Sequence, residues 1–191
     1  MATVQQEDKF NLGAKKFAMW IFIFTSFMFF AALTSGFIVY SGGKGKGLHM
    51  TMPNAFIFST ACIVISSITM FMASKAANRL QFGRQRLYLW LTIALGVLFF
   101  FGQIYAWSQL IQMGVYFVNN NASQSFIYVF TGMHLLHIVA GLILLASALI
   151  GSYKNIPQVK NLYRMQMSSI FWHFIDIIWI YLYVFLLLNQ R

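Results

Sequence analysis

The sequence predicts an all-α, polytopic membrane protein: a bundle of five transmembrane helices with its N-terminus inside and its C-terminus outside. Three observations predict it. First, 60% of the 191 residues are hydrophobic and only 8% are charged, where a soluble domain carries roughly 25% charged residues. Second, the apolar residues gather into five segments, each long enough to cross a hydrocarbon core of about 30 Å at about 1.5 Å per helical residue. Third, the basic residues lie almost entirely between those segments and favour one side, as a positive-inside bias requires. A chain this apolar is not disordered. The net charge of +10 would suit a nucleic-acid partner, but its placement in membrane loops makes it a topology signal, so no nucleic-acid partner is expected.

Positions 1–16 form a cytoplasmic tail, and 17–191 a single five-helix transmembrane domain. The first helix, at about 17–40, follows Lys15 and Lys16. It is too long for a signal-peptide core and no small-residue cleavage site follows it, so it is expected to stay as an anchor. The second, at about 54–74, begins after Pro53 and ends at Lys75. The third, at about 87–113, follows Arg84 and Arg86; the fourth spans about 125–150 and the fifth about 168–188, after Arg164. The only prolines, Pro53 and Pro157, fall between segments, so no helix is broken. Lys9, Lys15, Lys16, Lys75, Arg79, Arg84, Arg86, Lys154, Lys160 and Arg164 sit on one side, against Lys44, Lys46 and Arg191 on the other. The richer side is expected to be cytoplasmic. Trp20, Tyr40, Tyr88, Trp90, Tyr116, Tyr128 and Trp172 lie near segment ends and read as interface anchors. The single cysteine, Cys62, allows no intrachain disulfide and no thiolate metal cluster.

Ionisable groups inside the apolar segments are costly and therefore informative. Four stand out: His134 and His137 in the fourth segment, His173 and Asp176 in the fifth. Each pair is spaced by three and shares a helix face. Their depths match, so His137 and Asp176 are expected to meet between helices four and five. The first reading of this polar cluster is structural, an interhelical hydrogen-bonded contact that fixes packing and register. The residues leave two others open: a metal or haem site built from the histidines, and local proton handling. Paired glutamates and the Glu-x-x-His pattern of di-iron bundles are missing. Gln103, Tyr105 and Trp107 are expected to hydrogen-bond to neighbouring helices, while Gly132, Gly141 and the serines of the second segment let helices approach. No nucleotide loop or nucleophile elbow is present, and no stretch outside the segments could house a soluble catalytic domain.

Trp172-His173-Phe174-Ile175-Asp176-Ile177-Ile178-Trp179 resembles the Trp-His-Phe-x-Asp-x-x-Trp signature of subunit III of haem–copper terminal oxidases, and stands in the last helix as it does there. Thr131-Gly132-Met133-His134-Leu135-Leu136-His137 resembles the family's Thr-Gly-x-His-x-x-His stretch. The segment from Trp20 to Phe30 is similar to its first shared helix, and Gln103 to Trp107 to its Gln-x-x-Glu-Trp-like stretch. The likeness runs through essentially the whole chain and suits the short, five-helix bacterial form. Two positions depart from the pattern: Ser26 and Ala106 stand where relatives usually keep glutamates.

The resemblance implies an accessory subunit with no catalytic, cofactor-binding or metal-binding residue of its own. Haem and copper would sit on partner subunits. The chain would pack mainly on subunit I, alongside subunit II, in a bacterial plasma (inner) membrane, bind phospholipid, and support proton uptake and stability. A larger respiratory supercomplex is a further implied partner. The complex would reduce dioxygen to water with electrons from cytochrome c; the alternatives are a quinol oxidase or a nitric oxide reductase accessory protein. The loss of both acids favours a structural task over a proton-conducting one. The rivals from other classes are a small independent transporter, which would need polar pore stripes or half-helices, and a membrane haem protein.

Overall fold

The computed structural model describes residues 2–44, 48, 53–118, 122–153 and 158–189. Lys46, Lys154, Pro157 and Arg191 therefore lie outside the described residues. Five helices follow in order: α1 (Ala2–Lys44), α2 (Asn54–Asn78), α3 (Phe82–Gln112), α4 (Ala122–Tyr153) and α5 (Gln158–Leu188). All five are long and apolar enough to cross a membrane, and no strand occurs among the described residues.

The helices run past the apolar segments that announce them. α3 starts at Phe82 rather than near Leu87, and α5 at Gln158 rather than near Ser168. Hydropathy marks the hydrocarbon, whereas helical hydrogen bonding is local and continues into the headgroup layer. A 31-residue helix is about 46 Å long, close to the bilayer thickness with headgroups included. α1 likewise runs unbroken through positions 2–16, the predicted tail.

Two tight turns share one geometry. After α2, the Gln81 amide bonds to the Ala76 carbonyl and the Leu80 amide to the Ala77 carbonyl. After α3, the Val115 amide bonds to the Leu110 carbonyl and the Gly114 amide to the Ile111 carbonyl. Both are Schellman ends, which need a left-handed residue past the cap. Gly114 supplies it at φ +79° and Leu80 at φ +60°.

Four helices close a ring: α2 packs on α3, α3 on α4, α4 on α5, and α5 back on α2. α1 stands outside this ring against α4 and α5, and among the described residues it does not reach α2 or α3. Phe37 of α1 meets Phe126, Phe130 and Phe185 edge-on or tilted at 5.4–6.2 Å, and Thr34 shares a 2.8 Å hydrogen bond with the Tyr181 hydroxyl. The outward face of α1 (Phe24, Phe27, Met28, Val39) is exposed and apolar, as a membrane-facing helix must be. One end of the bundle gathers the basic residues. There Arg86 of α3 reaches across to α4, donating to the Ser152 hydroxyl and carbonyl and lying over the Tyr153 ring.

Candidate functional site

A polar side chain at the centre of a membrane-crossing helix has no water to bond, so it seeks a partner on its own or a neighbouring helix. His137 lies at the middle of the Ala122–Tyr153 span, and His173 and Ser67 lie beside the middles of Lys160–Leu188 and Ala55–Asn78. The structure sorts the four predicted cluster residues into two groups.

His134 and His137 on α4 face α1, α3 and α5. The His134 ring is fully buried, 4.9 Å from Trp179 and edge-on to Phe99 at 5.8 Å. Neither ring nitrogen has a hydrogen-bond partner. His137 has two: its Nδ1 lies 2.8 Å from the Met133 carbonyl and its Nε2 lies 3.3 Å from the Ser26 hydroxyl. Its ring packs on Phe30 at 5.3 Å. The gap lined by Phe30, His134, His137, Phe174, Ile175 and Ile178 has no room for a water-sized sphere.

His173 and Asp176 on α5 face α2 instead. Ser67 Oγ and His173 Nδ1 share a 2.7 Å hydrogen bond. Asp176 is 3% exposed and lies beside Ser67, with neither carboxyl oxygen in hydrogen-bond geometry. The expected meeting of His137 with Asp176 is not formed. The rotation of α5 explains this. Trp172 and Trp179 are seven residues apart, hence on one face, and both indoles enter the core of the ring. That choice turns His173 and Asp176 toward α2.

Trp172, an expected interface anchor, is instead fully buried. Its indole donates to Ser66 Oγ at 3.1 Å and fills a slot between two glycines. A Cβ on Gly96 of α3 would come 2.7 Å from the ring, and one on Gly141 of α4 would come 3.0 Å from it. Trp179 donates to Thr60 Oγ1 at 3.0 Å and stacks on Phe56. Of the other expected anchors, Trp20, Trp90 and Tyr116 are exposed, and Trp20 stands well inside α1 rather than at its end. In the second motif, Trp107 donates to Thr131 Oγ1 at 3.0 Å and lies over Gly132. Gln103 is buried without a partner for its amide, contrary to the expected hydrogen bond to a neighbour. Of the two positions where relatives usually keep an acid, Ser26 faces His137 and Ala106 is fully buried in the apolar core.

Gly96 and Thr60 carry weight that the sequence did not single out. A glycine inside an apolar helix costs about 0.5–1 kcal/mol relative to alanine, and that cost is the signal for Gly96. Thr60 gives no comparable signal. Among the described residues, no group of three His, Cys, Asp or Glu side chains is placed to hold a metal ion. What the polar residues visibly do is join helices: α5 to α2 through His173, Trp172 and Trp179, α3 to α4 through Trp107 and Arg86, α1 to α4 through His137, α1 to α5 through Thr34, α2 to α3 through Thr69 and α5 to α4 through Ser168.

The sequence profile of cytochrome c oxidase subunit III matches residues 4–189. The chain belongs to the cytochrome c oxidase subunit III family. It is similar to cytochrome c oxidase subunit 3 of Bacillus sp. (strain PS3), 26% identical over 95% of this chain and 86% of that protein. It is 28% identical to the same subunit of Corynebacterium diphtheriae, over 86% of this chain and 82% of that one. It is also 28% identical to cytochrome bo(3) ubiquinol oxidase subunit 3 of Pseudomonas aeruginosa, over 88% and 81%. The family makes the chain a multi-pass subunit of a haem–copper oxidase, associated with the other oxidase subunits, and gives it a place in a respiratory chain.

Proposed function

We propose that this chain is the cofactor-free structural subunit of a haem–copper oxidase of the cytochrome c type, packed chiefly on the catalytic subunit I. The N-terminus lies inside, phospholipid fills its exposed grooves, and the chain sustains proton uptake and turnover in its partner. The observation that carries the structural role is the fate of the polar groups. His137, His173, Trp107, Trp172 and Trp179 each spend a hydrogen bond on a neighbouring helix. None of these bonds forms a continuous path across the span. The hydroxyl of Ser26 and the apolar Ala106, standing where an acid is usual, support the same conclusion.

The experiment is purification of the tagged chain from its own membranes. It should bring down a complex with haem and copper spectra that oxidises reduced cytochrome c. Removing the chain should leave those spectra unchanged and shorten the time over which turnover is sustained. A specific observation favours a second reading, the quinol type: the similarity to the Pseudomonas subunit equals that to the Corynebacterium one. Oxidation of quinol and not of cytochrome c by the purified complex would decide for it.

A further inference from the structure

The three membrane-embedded histidines are not equivalent. His134 is sealed within the bundle. His137 has a partner for each ring nitrogen. His173 is half-buried, and only its Nδ1 is engaged, by Ser67; its Nε2 has no partner among the described residues. This nitrogen stands near the middle of two spans, since both His173 and Ser67 are beside their midpoints. Here neither water nor a lipid headgroup is within reach. Acyl chains offer no hydrogen-bonding atom, and polar side chains at this depth face protein.

The surroundings define a face. α1 covers α4 and α5 but does not reach α2, so the seam between α2 and α5 is left open. Ile177 on α5 and Val64, Ile68 and Phe71 on α2 are exposed along it. The result is an apolar surface with one polar notch at mid-depth, and Asp176 lies behind that notch, beside Ser67. The α2–α3 groove differs. Its cavity of about 500 Å³ is lined by Ala55 and Phe58 near the start of α2 and, on α3, by Leu98, Phe101 and Gly102, with Tyr105 and Gln109 toward the helix end. Acyl chains suit that groove; they do not suit the notch.

We propose that the α2–α5 seam is the docking face for a transmembrane helix of a neighbouring oxidase subunit, which meets His173 Nε2 with a hydrogen-bonding side chain. This rests on the subunit role proposed above and names the face that serves it.

The test uses the intact complex. A photoreactive residue placed at Val64, Phe71 or Ile177 should cross-link to another oxidase subunit, and one at Phe58 or Phe101 should cross-link to lipid. His173→Asn keeps a polar atom near Ser67 and removes the outward one. It should leave the chain folded but reduce its retention in the complex through a detergent wash by about threefold to tenfold, the range of one interhelical hydrogen bond. His173→Gln, which reaches the outward position, should restore retention. Cross-links from the seam only to lipid or to a second copy of the chain, with the complex intact, overturn the docking face and leave the subunit role standing. Equal retention of the His173→Asn and His173→Gln variants overturns the role of Nε2. Failure of the tagged chain to bring down any oxidase subunit overturns both.

Discussion

Trp172 shows how one side chain sets the geometry of its surroundings. Its ring fits only because residues 96 and 141 have no Cβ, and it buries the one polar atom of its indole on Ser66. Packed interiors have little slack, and adding a methylene costs about 1–3 kcal/mol. Gly96→Ala should therefore lower the thermal stability of the purified complex by an amount in that range. Gly83→Ala makes the same chemical change where nothing lies within 4 Å, and should be neutral or raise stability by about 0.4–1 kcal/mol through the unfolded chain. Equal melting shifts for the two would show that the slot is not tight. The signature string was legible in the sequence, but the burial of Trp172 was not. A tryptophan five residues into an apolar segment reads as an interface anchor until the opposing glycines, 76 and 31 positions away, are known to face it.

At the scale of the element, the five helices were legible because bilayer thickness imposes a length that composition displays. Their ends were not, because main-chain bonding ignores hydropathy. The two Schellman turns make this testable. Gly114 carries its φ of +79° without steric cost, so Gly114→Ala should destabilise by about 1–2 kcal/mol, the penalty of a Cβ in the left-handed region. Leu80 already bears that penalty and is exposed. Leu80→Gly should recover up to about 1 kcal/mol, part of the gain being lost to the freer unfolded glycine. Opposite shifts in melting temperature are the expected readout. The tie between α3 and α4 is measurable as a coupling. A double-mutant cycle of Trp107→Phe and Thr131→Val should return about 0.6–1.7 kcal/mol, as interhelical hydrogen bonds in membranes do. A value near zero would mean the 3.0 Å contact does not hold the helices.

Across the whole molecule, the polar residues were found by the sequence but paired wrongly. Spacing and depth gave the candidates, and His137 and Asp176 do stand near the middle of their spans. Depth carries no information about rotation around a helix axis, however, and two indoles fixed that rotation for α5. The charge pattern is more robust, because it depends only on which ends lie together. Contacts such as Arg86 to Ser152 place the start of α3 beside the end of α4, so Lys75, Arg79, Arg84, Arg86, Lys160 and Arg164 share one end with the start of α1. The opposite end has the uncharged 114–118 stretch. An excess of basic residues is retained on the cytoplasmic side during insertion, so that end should face inward. In right-side-out vesicles, a membrane-impermeant thiol reagent should label a cysteine placed at Phe117, which is exposed. It should label one placed at Gly83 only after the vesicles are opened. Cys62 is buried and leaves little background. The reverse pattern would mean that the basic end lies outside.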